Sequence, residues 1–294
     1  MKDKGSLMLL AAACIGGGGF IGVKYLLDWG YNPYQITFWR FFFAVLCLSV
    51  IYGRHYPKIT GREWRVGSIL GIFLAACFFL LSVGLQYTTP SINAFLGNTQ
   101  AVMVPFICWI VFRERPMRRV FLAAGMTFAG VALLSLSGDF DIDVGAVLSL
   151  GGAAAFSLQM VFLGRAVVDC DAVHIALVQN VAVMAIAFVV VICTGWNMPP
   201  LTLAATGNFV YVGGLCTALY FVLQSVGQRY TSANKTAIII TSECIFAAIL
   251  SAMIYGERMN VRGYIGGIII FVAMVLAERP EKERKTGKIV VDRH

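Results

Sequence analysis

The stretch "RYTSANKTAIIITSE" (residues 229–243) repeats, 143 positions further along the chain, the stretch "QYTTPSINAFLGNTQ" (residues 86–100). Gln100 aligns with Glu243, and the register continues without a gap into a Glu-Arg turn and a second apolar run in each half. An internal repeat at a fixed offset indicates one structural unit that occurs twice. The sequence therefore predicts two halves with the same fold.

Apolar residues dominate the composition. Of the 294 residues, 59% are hydrophobic and 13% are charged, and the mean hydropathy is +0.79. A soluble domain does not bury that much apolar surface, whereas a helix that crosses a bilayer needs about 20 apolar residues. The runs are apolar on all sides and do not alternate, which favours helices over barrel strands. Ten such runs are present, at residues 6–27, 34–52, 66–86, 91–112, 119–136, 144–163, 173–194, 205–226, 235–255 and 261–277.

The repeat divides these ten runs into two sets of five. An odd number of crossings turns the second copy upside down in the membrane, as in secondary transporters. We therefore predict an all-α integral membrane protein with ten transmembrane helices as two inverted five-helix repeats. The first repeat spans residues 1–137, the second spans residues 138–278, and residues 279–294 form a basic cytoplasmic tail. Since almost nothing lies outside the runs, the chain is not expected to be an enzyme.

The net charge of +8 follows the predicted topology. With a cytoplasmic N-terminus, most basic residues fall in cytoplasmic loops and the tail, while the outer loop at 138–143, "GDFDID", is acidic. This positive-inside pattern predicts a multi-pass protein of the cytoplasmic (inner) membrane with both termini cytoplasmic. The tail is expected to be solvated or to touch anionic lipid. The distribution gives no support to a nucleic-acid partner.

The sequence contains no cofactor motif. Seven of the eight cysteines lie within the apolar runs, no Cys-x-x-Cys occurs, and the three histidines are far apart. This pattern fits small buried thiols better than a disulfide framework or a metal site. The run "GGGG" at residues 16–19 is not followed by Lys-Ser/Thr, so it is not a phosphate loop, and we expect it to permit close helix approach. No cofactor is predicted, and transport would be secondary or passive.

Two further stretches carry the repeat, "VFRERPMRRVFLAAGMTFAGVALL" (residues 111–134) and "IYGERMNVRGYIGGIIIFVAMVL" (residues 254–276). In each, an apolar helix, a Glu-Arg turn and a Gly/Ala-rich helix follow one another. With these motifs the chain resembles the drug/metabolite transporter superfamily, in its ten-helix EamA-type branch. The resemblance implies a helix bundle that moves small metabolites by alternating access, often outward. It does not fix a substrate, because members carry amino acids, nucleosides, amines and other solutes.

Glu243 lies near the middle of an apolar run, where a carboxylate costs about 2.5–3.5 kcal/mol on insertion scales. Three arrangements would relieve this cost: protonation with a hydrogen bond to another helix, a pair with Lys24 or Arg40, or a wet cavity that admits a cationic substrate. Because intramembrane ionisable groups are usually functional, we predict that Glu243 binds substrate or carries a coupling proton. Its repeat mate Gln100 is expected to approach the midplane from the other half.

Arg40 lies among aromatic residues in "FWRFFF" and requires an anion, a carboxylate or a stacking ring as partner. Lys24 precedes Asp28 by four residues, so a local pair, snorkelling to the interface and a binding role all remain open. Asn93, Gly97 and Gln100 share one helix face. The other polar candidates also suit interhelical hydrogen bonds; they are Asn98, Gln159, Gln179, Asn180, Tyr220 and Gln224.

The leading hypothesis is a secondary exporter of a small polar, amino-acid-like metabolite that works by alternating access. In it Arg40 or Lys24 meets a carboxylate and Glu243 meets an ammonium group or a proton. The alternative is a proton-coupled carrier of organic cations such as quaternary amines, which would rely on Glu243 and aromatic rings. A non-transporting scaffold, a lipid scramblase and a lipid-modifying enzyme are the other classes. The lipid bilayer and a small molecule are the expected partners, and the protein is a monomer or a homodimer.

Overall fold

Helices account for nearly all of the part of the chain that the computed structural model describes, which is residues 2–113, 115–137, 141–142, 144–195, 199–256 and 260–277. The helices of the first half are α1 (Lys2–Asp28), α2 (Pro33–Tyr52), α3 (Gly61–Gly84), α4 (Pro90–Gly97), α5 (Gln100–Phe112) and α6 (Arg118–Ser135). Those of the second half are α7 (Val144–Asp169), α8 (Ala172–Thr194), α9 (Leu203–Val210), α10 (Tyr220–Gln228), α11 (Ala233–Thr241), α12 (Glu243–Tyr255) and α13 (Val261–Ala277).

Four short elements accompany these helices in the described residues. A 3-10 helix, Gly53–Lys58, follows α2, and a π-helical segment, Tyr211–Leu219, joins α9 to α10. Two antiparallel strands of two residues each, β1 (Leu136–Ser137) and β2 (Asp141–Ile142), lie between the two halves. Because α4 with α5, α9 with α10 and α11 with α12 each form one pass, the helices make ten passes through the bundle.

The bundle presents apolar side chains on its outside, as a protein in lipid must. Val50, Phe128 and Leu203 are among the large hydrophobic residues that are mostly exposed. Within the described residues, eight passes are long and apolar enough to cross a membrane. The remaining two, α6 and α13, have 18 and 17 residues and pack against each other. The prediction of an all-α membrane protein is confirmed.

The 143-residue offset of the sequence repeat recurs in the helix boundaries. Helices α5 and α12 begin at the mates Gln100 and Glu243, each directly after a break in the pass. The same two helices are followed by the mates Arg113 and Gly256 as C-caps, which both have left-handed backbones, with φ of 59° and 61°. Helix α2 packs on its mate α8, and α6 on its mate α13. The two halves therefore share one element plan, as the inverted five-helix repeat predicts.

Some expectations differ from the structure. Helix α3 begins at Gly61 and not near residue 66, because Thr60 and Glu63 form a capping box that starts the helix before the apolar run. Helix α7 continues to Asp169, beyond residue 163, because a helix does not have to stop where hydrophobicity stops. The Glu-Arg turns at Glu114 and Glu257, and the tail 279–294, lie outside the described residues. The division of the chain at residues 137 and 138 remains a prediction.

Candidate functional site

A cavity lies in the middle of the bundle, among α1, α2, α3, the broken α4–α5 pass, the α9–α10 pass and α12. Between these helices lies about 660 Å³ of space that no protein atom fills, including space open to solvent. Its walls on α1 and α3 come from the middle and the C-terminal halves of these helices, between Gly16 and Val23 and between Cys77 and Leu85. The cavity therefore extends from mid-bundle towards the end at which α1 terminates.

Glu243 is the first residue of α12 and reaches the cavity from the break between α11 and α12. Its Oε2 accepts a hydrogen bond of 3.4 Å from the Tyr220 hydroxyl. The amide groups at the start of a helix carry a partial positive charge, which favours a carboxylate in this position. The break thus places an acidic group at mid-bundle, next to open space and within hydrogen-bonding distance of Tyr220.

Arg40 enters the cavity from α2, and its side chain is held from the second half of the chain. Its Nε donates to the Thr217 hydroxyl, and Nη2 donates to the Cys216 carbonyl at 3.1 Å. The guanidinium carbon lies 4.5 Å from the centre of the Phe78 ring, a cation–π contact. Among the residues that the structure describes, no carboxylate oxygen lies within 4 Å of Arg40.

Two glycines of α1 bring these opposite charges side by side. A Cβ atom at Gly16 would lie 2.6 Å from Glu243 Oε1, and one at Gly19 would lie 3.3 Å from Arg40 Nη2. The two glycines are one helical turn apart, which is about 4.5 Å along the axis. The carboxylate and the guanidinium therefore both pack against the face of α1 formed by Gly16 and Gly19, and they do not form a direct ion pair with each other. Such a site can hold a ligand that carries both charges.

Amide groups form the opposite wall of the cavity. Gln100 Nε2 donates to Asn98 Oδ1 at 3.4 Å, and Asn93 Nδ2 donates to Ser149 Oγ at 2.8 Å. Within the described residues, Gln100 Oε1 and Asn93 Oδ1 accept no hydrogen bond although both atoms are buried. Since buried polar atoms are nearly always paired in folded proteins, these two acceptors are available to a solute or to water.

The EamA-like transporter family matches residues 3–136 and 143–278, which are the two repeats in turn. The chain belongs to the EamA-like transporter family. The resemblance inferred from the Glu-Arg motifs is thereby confirmed, and the protein is a membrane transporter whose outer surface contacts the bilayer.

Relatives of this EamA-like transporter are known from several organisms. A protein of Archaeoglobus fulgidus described as an uncharacterized transporter is 27% identical over 275 residues, covering 92% of this chain and 84% of that protein. A second one from the same organism is 26% identical and covers 94% and 98%. A solved crystal structure shares the fold with a TM-score of 0.71, at 14% identity, covering 94% of this chain and 97% of that one.

Five of the eight predicted site residues of this EamA-like transporter line the cavity; they are Arg40, Asn98, Gln100, Tyr220 and Glu243. The other three do not, because each has neighbours elsewhere. Lys24 pairs with Asp28 at 3.3 Å, one of the local options of the sequence. Asn180 donates to the Ala176 carbonyl within its own helix, and Gln159 donates to Gln179.

Some cavity residues of the EamA-like transporter were not singled out from the sequence. The partners of Arg40, which are Cys216 and Thr217, and the ring of Phe78 carry no charge and lie in apolar runs, so their composition gives no signal. One local hint exists beside Cys216. Gly213 allows α2 to pack closely, since a Cβ there would lie 2.6 Å from the Arg40 carbonyl oxygen.

Proposed function

We propose that this EamA-like transporter is a secondary carrier of a small, amino-acid-like metabolite, which it exports across the cytoplasmic membrane by alternating access. The observation that carries the proposal is the juxtaposition of Arg40 and Glu243 on one face of α1 without a direct ion pair. A guanidinium suits a carboxylate because its donors are arranged as a planar fork. Glu243 would meet the ammonium group or carry a coupling proton.

A carrier of organic cations is the second candidate, and a different feature of the same cavity favours it. Aromatic rings lie around the space next to Glu243; they belong to Phe20, Phe78, Phe156, Tyr220 and Phe221. Rings and a carboxylate together recognise quaternary ammonium groups. In this version Arg40 stays bound to Thr217, Cys216 and Phe78 and contacts no solute.

Ligand-dependent thermal unfolding of the purified protein separates the two candidates. Zwitterionic amino acids, a simple quaternary amine and a simple carboxylate are compared, and a ligand at 100 times its Kd stabilises the fold by about 2.7 kcal/mol. We expect stabilisation by zwitterions alone. Stabilisation by the quaternary amine alone would favour the second candidate. Counterflow in liposomes is the companion assay, because a scaffold exchanges no solute.

The orientation in the membrane is part of the proposal. Basic residues described at the end of the bundle where α1 begins support a cytoplasmic position for that end; they include Arg54, Lys58, Arg62, Arg65, Arg113 and Arg118. The cavity then extends towards the outside. We leave the oligomeric state open between monomer and homodimer.

A further inference from the structure

We infer that four buried glutamines, Gln159, Gln179, Gln224 and Gln228, line a second, closed pathway towards the end of the bundle where α1 begins, and form a hydrogen-bonding subsite for cargo there. We call these four residues the amide cluster. The inference rests on the proposed transport function and extends it to a part of the molecule outside the cavity. Three observations support it.

The first observation is the burial of the amide cluster. All four glutamines are at most 2% exposed. Gln224 Nε2 donates to Gln159 Oε1 at 3.5 Å, and Gln159 Nε2 donates to Gln179 Oε1 at 3.1 Å, so three of the amides form a chain across α10, α7 and α8. Among apolar helices each polar group has to find a partner inside the protein, and these amides find part of theirs in one another.

The second observation is that the amide cluster is only partly satisfied. Within the described residues, Gln179 Nε2, Gln224 Oε1 and Gln228 Oε1 have no hydrogen-bond partner, and neither has Ser225 Oγ beside them. Each buried polar group without a partner costs about 1–3 kcal/mol. Water or cargo that reached these four atoms would supply the missing hydrogen bonds.

The third observation comes from the repeat. At the offset of 143 residues, Leu81, Ser82 and Leu85 of α3 are the mates of Gln224, Ser225 and Gln228 of α10. The three α3 residues line the open cavity. Inversion of the repeat puts their mates at the opposite end of the bundle. If the second half adopted the conformation that the first half has now, residues of the amide cluster would line a cavity open at the end of the bundle where α1 begins.

The present conformation holds this second pathway shut through Gln228. Its Nε2 donates to the Met160 carbonyl of α7 at 2.6 Å. A Cβ at Gly164 would lie 3.1 Å from Gln228 Nε2 and 3.4 Å from Ala233 Cβ, so α7, α10 and α11 meet here. Opening requires the loss of the Gln228 hydrogen bond, and water or cargo would replace it.

The two pathways differ in chemistry at equivalent positions. Leu81 and Leu85 give the open cavity an aliphatic wall, whereas Gln224 and Gln228 give the closed one donors and acceptors. The amide cluster contains no charge, so it can satisfy the hydrogen bonds of a small polar solute without the strong binding of an ion pair. We assign it as a subsite through which such a solute passes between the cavity that holds Arg40 and Glu243 and the end of the bundle where α1 begins.

Cysteine labelling tests the pathway directly. Gln224→Cys and Gln228→Cys are exposed to a membrane-impermeant thiol reagent from either face of sealed vesicles, and the modified residue is identified by peptide mass spectrometry. We expect both cysteines to react with reagent added on the side of the membrane at which α1 begins. Val222→Cys is the matched control, since Val222 lies on the same helix but packs with Ala44 and Leu48 and should stay unmodified. Failure of both glutamine sites to react, or equal reaction at Val222, overturns the inference.

The double variant Gln224→Leu/Gln228→Leu tests the subsite, because it installs the residues of the repeat mates. Binding of a zwitterion to the open cavity should persist, as measured by thermal shift, while counterflow should fall at least about tenfold. Unchanged counterflow would show that the amides do not serve the cargo. If the wild type exchanges no solute, the proposed function fails, whereas the labelling result still decides whether the second pathway opens.

Discussion

At the scale of single residues, Gln100 and Glu243 occupy equivalent positions in the two repeats and differ in that Glu243 is an acid. Each begins the second helix of a broken pass, and each lines the cavity. Since a neutral amide starts α5 in the same way that the carboxylate starts α12, the fold does not require a charge there. The energetic cost of an acid in the membrane is then best explained by its use.

Replacement of Glu243 by Gln keeps the shape of the side chain and removes its charge. We expect the affinity for a zwitterionic solute to fall about 10- to 100-fold, because a hydrogen bond to a charged group contributes about 1.5–3 kcal/mol. If Glu243 instead carries the coupling proton, exchange should survive while uptake driven by a proton gradient in liposomes is lost. Asp28→Asn is the control, since Asp28 is an acid of α1 that pairs with Lys24 outside the cavity. Wild-type behaviour of Glu243→Gln in both assays would leave the carboxylate as a structural hydrogen-bonding group.

Replacement of Arg40 separates the need for a charge from the need for a guanidinium. We expect Arg40→Ala to abolish transport and Arg40→Lys to lose most of it, because an ammonium group cannot reproduce the planar fork. Counterflow at matched reconstitution measures both variants. Arg62→Ala is the control, since the exposed Arg62 pairs with Asp169. A folded Arg40→Ala protein that transports normally would exclude Arg40 as a ligand and as an essential structural group.

At the scale of elements, the glycine face of α1 decides how closely that helix approaches α10 and α12. A Cβ at Gly16 would lie 2.6 Å from the Glu243 carboxylate and 2.9 Å from the Tyr220 ring. We expect Gly16→Ala to lower the free energy of unfolding by about 1–3 kcal/mol, as overpacking does, and to weaken solute binding. Gly125→Ala in α6 meets no atom within 4 Å and should do neither. Equal effects of the two substitutions in thermal unfolding would contradict this account.

The π-helical segment Tyr211–Leu219 positions the partners of Arg40. The Thr217 hydroxyl donates to the Val212 carbonyl, five residues earlier, at 2.7 Å and accepts from Arg40 Nε. Segments of this kind are frequent at functional sites, because they redirect side chains within a helix. The irregular backbone of this segment thus places the Thr217 hydroxyl where it can hold the Arg40 side chain.

Thr217→Val should therefore leave Arg40 Nε without its acceptor. We expect a loss of about 1–3 kcal/mol in the free energy of unfolding and weaker binding of a carboxylate-containing solute. Thr217→Ser retains the hydroxyl and should restore both, which thermal unfolding and ligand-dependent stabilisation measure. A Thr217→Val protein with wild-type stability and wild-type solute binding would show that the hydrogen bond from Arg40 is not needed.

At the scale of the whole molecule, the proposed topology of ten passes puts both ends of the chain on the cytoplasmic side of the membrane. On this topology we expect Lys2→Cys and His294→Cys to resist an impermeant thiol reagent added outside intact cells, because basic loops favour the cytoplasmic side. Trp29→Cys, at the opposite end of α1, should be labelled from outside. Peptide mass spectrometry assigns the labelled site, and modification of either terminal cysteine from outside would reverse the topology.

The order and type of the elements were largely predictable from the sequence, while their irregularities were not. The ten apolar runs correspond to the ten passes of the described residues. The breaks before Gln100 and Glu243 and the π-helical segment each lie inside a single apolar run. Hydrophobicity predicts that a segment lies in lipid. It does not predict whether the backbone hydrogen bonds of that segment are α-helical, π-helical or interrupted.

The sequence alone determined that this is a membrane protein, how many passes it makes and that its second half is inverted. The reason is that hydrophobicity and a repeat unit with an odd number of helices can both be read from the chain. Only the tertiary structure decided which polar groups share the cavity. Arg40 depends on Thr217, 177 positions away, and Glu243 depends on the space that Gly16 leaves on another helix. The same long-range packing keeps Gln159 and Asn180 out of the cavity, because the rotation of each helix is fixed by its neighbours and not by its own residues.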